Sequence, residues 1–568
     1  MTKPIRKLLI ANRGEIALRI MRSAHAMGIS TVAVFEDEDR EALYVREADE
    51  SFFLPAGFLD QQTLLEICRN VKIDAIHPGY GFLSENSEFV RKVEKAGIIF
   101  VGPSADAMDR MGEKTAARLE AKAANVPLLP GAEVDDGAAL TVEERHKIVR
   151  DIGLPVVLKA AAGGGGKAQA IIEEEAEIDL AFEKVIREAE RLYRSKSLVI
   201  ERYLVRARHV EVQVIGNAAG KNFALFDRDC SAQRNNQKII EEAPAPQLPE
   251  GVRKALHASA IRLADHVGYK NAGTMEYLYD SARNEFYFLE MNTRLQVEHT
   301  VTEMITGLDL VREQLLIAQG HPTDYADVKM KGHAIQARIC AEKSDGSYLP
   351  STGRISQYLV PQSFAGETVR IDSGIGEGST VSGKYDNMLA KLIVHAADRD
   401  QAIALLSAKL SGYIISGIHT NIPLLKKLLA DDKFRSVEHY TRYLQREFEP
   451  PQNDVQTAAA AASVLFYELE KMESRVREES ANPARGPVHA ENFPVGRFQD
   501  AFAQVVADEA VRTENQYFFH ACYLPESVWI NREEGSAAAA SRGLVPGSLQ
   551  AAPAVRRNRL PVRAEYRL

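Results

Sequence analysis

Five polar side chains that could bind a metal ion, a phosphate or a small anion recur at every second position of one stretch near the middle of the chain. They are Glu290, Asn292, Arg294, Gln296 and Glu298. Successive side chains of an extended strand point to opposite faces, so this spacing predicts that the five groups line one surface. The residues between them would then face a hydrophobic core.

A further carboxylate is predicted to lie across the sheet from this row. Two apolar segments on either side of the short polar loop 281–284 predict a β-hairpin. A hairpin centred near Arg283 places Glu276 opposite Glu290. Directly opposed like charges destabilise a sheet unless something neutralises them, and a divalent cation is the usual remedy. We therefore predict a metal site at Glu276, Glu290 and Asn292. A solvated strand face is the simpler alternative, but the surrounding strands are too apolar and aromatic to favour it.

The composition predicts a soluble protein of several domains. The chain has 568 residues, of which 45% are hydrophobic and 26% charged, with a formal net charge of −9. Nothing in this balance suggests a nucleic-acid surface. Four widely spaced cysteines without a CxxC pair argue against a disulfide framework or a zinc site, and for a reducing compartment. The apolar run near the N-terminus is too short for a signal peptide or a membrane span, so we expect a cytoplasmic protein.

The first hundred residues alternate between apolar strands and an amphipathic helix, which predicts a parallel α/β unit. The turn after the first strand reads Asn12-Arg13-Gly14 and lacks GxGxxG, so a dinucleotide site is not supported. The Gly- and Pro-rich segment 78–86 presents Tyr80 at the carboxyl end of a strand, where α/β sheets bind ligands. The simpler alternative is that Tyr80 only packs.

A nucleotide lid is indicated by Lys159 and the four glycines at 163–166 that follow it. Backbone N–H groups of such a run can wrap a phosphate, and the run can also move as a flap. A plain linker is the alternative, and the GK[ST] ending of a P-loop is absent. The amide-rich and basic run 233–238 is typical, without context, of a solvated loop.

Eight separated motifs, in order, resemble those of biotin carboxylase, an ATP-grasp ligase, from residue 5 to about 447. They are ANRGEIALRI, IHPGYGFLSEN, LKAAAGGGGK, RHVEVQV, RDCSAQR, QKIIEEAPAP, EMNTRLQVEH and GHAIQARICAE. The resemblance implies an α/β and α+β multidomain protein with a Rossmann-like α/β domain at 1–112. An ATP-grasp domain at 113–333, with a mobile lid at about 130–205, and a C-terminal biotin carboxylase domain at 334–447 would follow.

The resemblance also implies roles for individual residues. The nucleotide-binding positions are matched by Lys114, Lys159, Gly164, Gly165, Gly166, Glu201, Leu204, His209, Gln233 and Asn236. Ligands of two Mg²⁺ or Mn²⁺ ions are matched by Glu276, Glu290 and Asn292. The bicarbonate and biotin positions are matched by Tyr80, Lys238, Arg294, Gln296, Val297 and Arg338. Among the catalytic positions, which are Lys238, Arg294, Glu298 and Arg338, Glu298 matches the general base and Arg338 the residue that stabilises the enolate-like oxygen of biotin.

The reaction implied is phosphoryl transfer from ATP to bicarbonate, followed by collapse of carboxyphosphate and capture of CO₂ by a biotin nitrogen. Positioning and charge neutralisation would supply most of the catalysis. No (A/E)MKM biotinylation sequence occurs. Biotin is therefore expected on a separate biotin carboxyl carrier protein, with a carboxyltransferase subunit completing transfer to acetyl-CoA, propionyl-CoA or pyruvate. A homodimer is expected.

Three positions depart from the family pattern. Ala168-Gln169 stands where Gly-Met is usual, Asn235-Asn236 replaces Arg-His in a run that usually reads QRRHQK, and Thr300 stands where Pro is common. The first pair predicts an altered adenine contact and the second a weaker grip on the phosphates. Thr300 is expected to be an ordinary variant.

Two other functions stay open on the sequence alone. One is a different ATP-grasp ligase acting on a carboxylate, and the other is a catalytically reduced subunit kept for assembly. The resemblance stops near residue 448. For 448–568 we predict a linker and a helix, followed by a disordered tail rich in Ala, Pro and Arg.

Overall fold

The structure is a computed structural model that describes residues 3–161 and 168–451. The predicted flap residues Gly164, Gly165 and Gly166 lie outside the described residues. So does the predicted helix and tail beyond residue 451. Within the described ranges no helix combines the length and the hydropathy needed to cross a lipid bilayer.

The N-terminal part is a five-stranded parallel sheet with strand order β3-β2-β1-β4-β5. Its strands are β1 (Lys7–Ile10), β2 (Ser30–Phe35), β3 (Glu50–Phe53), β4 (Ala75–His77) and β5 (Ile99–Phe100). Its helices are α1 (Gly14–Ala26), α2 (Leu43–Glu47), α3 (Gln61–Asn70), α4 (Ser87–Lys95) and α5 (Ala105–Gly112). The central strands are apolar and buried, as expected where helices cover both faces of a parallel sheet. The predicted Rossmann-like unit is confirmed.

The next segment forms a small antiparallel sheet with strand order β6-β9-β7-β8, over the range predicted to be the lid. Helix α6 (Lys114–Ala123) precedes this sheet and packs in another cluster. The elements of the small sheet, called the lid sheet below, are β6 (Gly131–Val134), α7 (Val142–Ile152), β7 (Val156–Ala160), β8 (Gln169–Ile172), α8 (Ile178–Tyr193) and β9 (Leu198–Arg202). Apolar residues of α7 and α8 pack against strands β7, β8 and β9 in one buried cluster. This sheet therefore has a core of its own.

A larger antiparallel sheet follows. Its first strands and the associated helices are β10 (Ala207–Gly216), β11 (Asn222–Arg234), β12 (Gln237–Ala243), α9 (Glu250–His266), β13 (Asn271–Asp280), β14 (Glu285–Asn292), α10 (His299–Thr306) and α11 (Leu310–Ala318). The remaining elements are β15 (His333–Cys340), β16 (Gly353–Arg354), β17 (Gln357–Leu359), β18 (Thr368–Ser373), β19 (Thr380–Val381), β20 (Met388–Ala396), α12 (Arg399–Ser411), β21 (Ile414–Ser416), α13 (Ile422–Ala430), α14 (Asp432–Arg435) and α15 (Tyr443–Arg446).

Eight of these strands form one sheet, in the order β14-β13-β10-β11-β12-β15-β20-β18. Strands β12 and β15 pair in register, with Ile240 opposite Ala337. The sheet is therefore continuous across residue 333, where the family resemblance implies a border between two domains. Side chains from both sides of that border consequently project from the same sheet.

The run 233–238 is the tip of a β-hairpin and not the solvated loop that its composition favours. Gln233 lies in β11, Lys238 lies in β12, and only Asn235 and Asn236 form the turn. Both asparagines have positive φ, 48° and 65°. A two-residue hairpin turn of this kind requires positive φ at both positions, and asparagine adopts it more readily than other residues with a side chain.

The hairpin predicted around Arg283 is confirmed, and Glu276 pairs with Glu290 as expected. A bulge between Glu276 and Tyr277 inserts one extra residue, Leu289, on the opposing strand. The prediction of an extended strand through Glu298 is wrong, because β14 ends at Asn292.

The cause of this early ending is a tertiary contact. The carboxylate of Glu85 accepts hydrogen bonds from the Thr293 amide at 3.1 Å and from Arg294 Nε at 2.9 Å. The chain therefore leaves the sheet and turns through 293–298 into α10.

Candidate active site

The predicted site residues converge on one cavity of about 590 Å³, bordered by the lid sheet, the large sheet and the segment after α14. Its lining includes Lys159, Gln169, Leu204, His209, Gln233, Asn236, Lys238, Glu276, Glu290, Asn292, Arg294, Gln296, Val297, Glu298 and Arg338. Strands β10, β12, β13, β14 and β15 of the large sheet each contribute to this list. Residues far apart in sequence thus face one volume.

Three predicted residues are not among the described residues that line this cavity. Lys114 is exposed at the start of α6. Glu201 is buried and accepts a hydrogen bond from Lys159 Nζ at 2.8 Å and another from Arg118. Tyr80 is half-buried, and its hydroxyl donates to the carboxylate of Glu15. These three residues are placed around the site but not on its wall.

Opposed carboxylates mark the end of the β13–β14 hairpin. Glu276 is buried and accepts hydrogen bonds from Asn292 Nδ2 at 2.8 Å and from Gln296 Nε2 at 2.7 Å. Glu290 is half-buried, and no hydrogen-bond donor to its carboxylate occurs among the described residues. Burial, together with the charge of Glu276, raises the pKa of Glu290. The negative charge of the two carboxylates is thus only partly neutralised by the surrounding side chains.

Oxygen donors with excess negative charge fit a hard divalent cation such as Mg²⁺. Glu276, Glu290 and Asn292 supply three such donors on adjacent strands. The free carboxylate of Glu290 is the feature of this structure that most clearly calls for a cation. The residues present therefore fit the metal that the resemblance implies.

One ammonium group connects the acidic side chains of the site. Lys238 Nζ lies 2.7 Å from Glu211, 2.9 Å from Glu276 and 2.6 Å from Glu298. Burial disfavours the charged form of Lys238, but the three carboxylates raise its pKa well above the ordinary value. The side chain is therefore a permanent cation at the centre of the cavity.

Glu298 is held between two cations. Besides Lys238, its carboxylate accepts a hydrogen bond from Arg338 at 3.0 Å. Burial raises the pKa of Glu298, but the charges of Lys238, Arg338 and Arg228 together outweigh burial and hold this pKa below the ordinary value. Arg338 in turn donates from Nε to Glu241 at 2.5 Å, which fixes the direction of its guanidinium group. A base and a cation are thus adjacent and oriented.

His209 links Glu276, one of the predicted metal ligands, to Gln233, one of the predicted nucleotide contacts. Its Nε2 lies 3.1 Å from Glu276, and its Nδ1 lies 3.2 Å from Gln233 Nε2. Burial disfavours the charged imidazolium, but the carboxylate of Glu276 raises the pKa of His209 to about 9.

Sequence reasoning missed several residues that complete the site. Glu211 is buried and joins Lys238 to Arg228, whose Nε lies 2.5 Å from it. Glu211 follows His209 by two residues on one strand, and this spacing could have indicated that both side chains face the site. Thr441 and Arg442 also line the cavity, but they come from the segment after α14. Nothing in their local sequence indicates a binding role.

The departures at 168 and 169 have different surroundings. Ala168 has a positive φ of 50°, is 2% exposed and packs with Ala160 and Ala189 inside the lid. Gln169, on β8 opposite Lys159, is half-buried and lines the cavity. Only Gln169 is therefore in a position to contact a nucleotide.

Three family models match the chain in succession. Residues 4–108 match the model described as biotin carboxylase, N-terminal domain, and residues 336–446 match the biotin carboxylase C-terminal domain. Residues 113–325 match the ATP binding domain of the carbamoyl-phosphate synthase L chain.

Individual proteins are similar over most of the chain. Biotin carboxylase 1 of Bacillus subtilis (strain 168) is 43% identical over 448 residues, which are 78% of this chain and 98% of that protein. A crystal structure of a biotin carboxylase-β-γ-ATP complex from Campylobacter jejuni superposes with a TM-score of 0.72 at 40% identity, covering 78% of this chain and 99% of that one. The third example is a dimer of the biotin carboxylase domain of Hydrogenobacter thermophilus 2-oxoglutarate carboxylase, in complex with MgADP, ADP and bicarbonate. It gives a TM-score of 0.71 at 39% identity, covering 78% of this chain and 98% of that chain.

Proposed function

Since the chain belongs to the biotin carboxylase family and is an enzyme of ATP-dependent biotin carboxylation, we propose that its cavity binds ATP, bicarbonate and biotin side by side. The observation that carries this proposal is the position of Lys238. Its ammonium group touches Glu276, on the metal side of the cavity, and Glu298, on the side of Arg338. The groups proposed for phosphoryl transfer and for proton transfer are therefore adjacent, since both contact Lys238.

The first step is transfer of the γ-phosphoryl group of ATP to a bicarbonate oxygen. Lys159 lies on the lid side of the cavity, where its ammonium group would neutralise phosphate charge. Glu276, Glu290 and Asn292 would hold Mg²⁺, which would neutralise phosphate charge when bound. Lys238 and Arg294 would hold the anionic bicarbonate in line with the phosphoryl group. The protein thus acts by positioning and by electrostatic stabilisation.

Proton transfer and the capture of CO₂ need a base and a cation next to each other. Glu298 would accept the bicarbonate proton during the phosphoryl transfer of the first step, since its carboxylate lies between Lys238 and Arg338. After carboxyphosphate releases CO₂ and phosphate, Arg338 would stabilise the negative charge that develops on the ureido oxygen of biotin. The phosphate released from carboxyphosphate would take the proton of the biotin nitrogen, that nitrogen would attack CO₂, and the new C–N bond would complete the reaction.

The assignment of each site residue is part of the proposal. Lys159, Leu204, His209, Gln233 and Asn236 are proposed as nucleotide contacts because they line the cavity. Lys114, Glu201 and Tyr80 are proposed to join the site only through their neighbours or after closure of the lid. Mn²⁺ is proposed as an alternative metal, since the donor set is the same.

We further propose that biotin arrives on a biotin carboxyl carrier protein and that a carboxyltransferase subunit completes the overall reaction. This division of labour is supported by the Bacillus subtilis relative, which is named a biotin carboxylase and is similar to this chain over 98% of its own length. A homodimer is supported by the dimeric Hydrogenobacter thermophilus domain. A reducing, cytoplasmic location is supported by Cys68, Cys230 and Cys340, which are free and buried.

ADP release by the purified chain tests the proposal, with bicarbonate and biotin omitted in turn. We expect turnover to require both. Stimulation by a different carboxylate without any effect of biotin would instead indicate another ATP-grasp ligase. Nucleotide binding without turnover would indicate an assembly subunit. Glu298→Gln is the matched variant, because it removes the base while retaining size and hydrogen-bonding capacity.

A further inference from the structure

Two buried side chains hold the backbone of the loop 296–298 from behind. Lys391, on β20, has no exposed side-chain surface, and its Nζ donates to the carbonyl oxygen of Val297 at 3.1 Å. His299 Nδ1 lies 2.7 Å from the carbonyl oxygen of Gln296 and must be the donor there. Neither side chain is among the described residues that line the cavity, whereas Gln296, Val297 and Glu298 all line it.

These two contacts determine the direction of the loop's amide groups. In a trans peptide the C=O and N–H bonds point in opposite directions. The carbonyl of Gln296 shares its peptide unit with the N–H of Val297, and the carbonyl of Val297 shares one with the N–H of Glu298. With both carbonyls directed at buried donors, both N–H groups are directed toward the cavity. Among the described residues no acceptor is found for either N–H group.

Two adjacent N–H groups that point into a cavity form an anion-binding element. In this protein Val297 and Glu298 line the same cavity as Lys238 and Arg294, the side chains proposed to hold bicarbonate. The anion would then be bound by backbone donors as well as by cations. The affinity for the anion then depends on the orientation of the two peptide units, and therefore on the side chains that hold their carbonyl groups.

Lys391 is itself held by parts of the chain that are distant in sequence. Its Nζ lies 3.1 Å from Glu15 Oε2, in α1, and 3.8 Å from Asp372 Oδ2, in β18. The other oxygen of Glu15 accepts the hydroxyl of Tyr80. The buried ammonium group therefore joins helix α1, strand β18 and the loop 296–298, and it has little freedom to move.

We propose that Lys391 is a positioning residue for bicarbonate, which orients the Val297–Glu298 peptide unit so that its N–H group faces the anion. His299 orients the preceding peptide unit in the same way. Lys391 does not touch the substrate, and its effect passes entirely through the backbone. This inference rests on the proposed function, because bicarbonate is taken as the anion bound there.

The test is Lys391→Met, which keeps the length of the side chain but removes the donor and the charge. Initial rates of ADP release are measured in CO₂-depleted buffer against added bicarbonate and, separately, against ATP. We expect the KM for bicarbonate to rise at least tenfold while the KM for ATP stays within twofold of wild type. A purely structural role would not separate the two constants.

Lys409→Met is the matched control. Lys409 is also a buried lysine of the C-terminal part, and its Nζ donates to the carbonyl oxygen of Gln362 at 2.8 Å and pairs with Glu367. It lies outside the bicarbonate loop, so its loss should lower thermal stability without changing the KM for bicarbonate. If Lys391→Met does not fold, the double variant Glu15→Gln with Lys391→Met removes the uncompensated carboxylate and is measured instead.

The outcomes separate this inference from the function on which it rests. Wild-type protein without bicarbonate-dependent turnover would overturn both. Wild-type turnover together with an unchanged bicarbonate KM in the folded variant would overturn the positioning role alone. An equal rise in both KM values, or failure of single and double variants to fold, would show that Lys391 serves the structure in general and would also overturn it.

Discussion

Replacing the two opposed carboxylates one at a time should give opposite effects on stability and the same effect on activity. Glu276→Gln and Glu290→Gln each remove one charge from the predicted metal site without changing the size of the side chain. The two residues face each other across β13 and β14, but their surroundings differ. Glu276 is surrounded by donors, whereas Glu290 has none among the described residues.

The structure sets the size of each effect. Glu276 is buried and pairs with Lys238 at 2.9 Å. Removing one partner of a buried ion pair costs roughly 3–5 kcal/mol when the other charge is left alone. Because Lys238 keeps its contacts with Glu211 and Glu298, we expect a cost at or below the lower end of this range. Glu290 directly opposes Glu276, and the Cβ atoms of directly opposed residues lie about 5 Å apart. Two unit charges at about that distance repel by about 3 kcal/mol at an effective dielectric constant of about 20. Because Glu290 is half-buried, and Lys238 and His209 offset part of this repulsion, we expect a gain of about 1 kcal/mol or less.

The assay is thermal unfolding in EDTA and in Mg²⁺, together with ATP turnover. In EDTA, Glu276→Gln should melt several degrees below wild type, whereas Glu290→Gln should melt level with it or slightly above. Both variants should lose turnover by at least about a hundredfold, since metal charge stabilisation contributes several kcal/mol. Mg²⁺ should stabilise wild type but not Glu290→Gln.

Glu285→Gln is the control for this experiment. Glu285 opposes Asp280 at the other, exposed end of the same hairpin, so it repeats the like-charge pairing outside the cavity. It should leave turnover unchanged. The reasoning is refuted if Glu290→Gln unfolds while its folded fraction keeps wild-type activity, or if both site variants melt alike.

Two further predictions concern the lid and the C-terminal sheet. Gln169→Met should lower the KM for ATP several-fold with a smaller change in kcat, because a flexible apolar side chain replaces an amide that loses hydration when the nucleotide binds. Ala168→Gly is the control and should leave the KM for ATP within twofold. Steady-state kinetics in which Ala168→Gly lowers this KM and Gln169→Met does not would contradict the placement of these side chains. Arg399→Met should destabilise the protein at neutral pH by roughly 3–5 kcal/mol, because it leaves Glu242 buried beside His333 alone. Burial raises the pKa of Glu242, but the charge of Arg399 and the hydrogen bonds from His333 and Arg399 together outweigh burial and hold that pKa below its ordinary value of about 4.5. The contribution of Arg399 to stability is therefore present above pH 4.5 and is lost on acidification. Unfolding measured from pH 7 to pH 3.5 should show the deficit shrink, and a deficit independent of pH would exclude the ion pair as its source.

The parts of the fold that the sequence predicts well are those determined locally. Alternation of strands and helices identifies the N-terminal sheet, and the polar loop 281–284 sets the register that places Glu276 opposite Glu290. Both depend on residues close together in the chain. The pairing of β12 with β15 joins segments almost a hundred residues apart, so no local pattern reveals it.

The site shows the same division. Side chains on paired strands, such as Glu276 and Glu290, could be expected to meet. The strand through Glu298 could not be judged correctly, since its early end depends on Glu85 from a distant loop. Lys391 also carries no sequence signal, because its role follows only from its contact with the Val297 carbonyl. The domain borders and the roles of individual residues stay predictions.

Transfer of labelled carbon to biotin is the most direct test of the central claim. Purified protein is incubated with ATP, Mg²⁺, free biotin and ¹⁴C-bicarbonate, and acid-labile carboxybiotin is quantified beside ADP. We predict that the amount of ¹⁴C found in carboxybiotin equals the amount of ADP whose formation depends on biotin. Glu298→Gln and Arg338→Gln should both abolish this incorporation of label. ADP formation that proceeds normally without any label entering biotin would contradict the account.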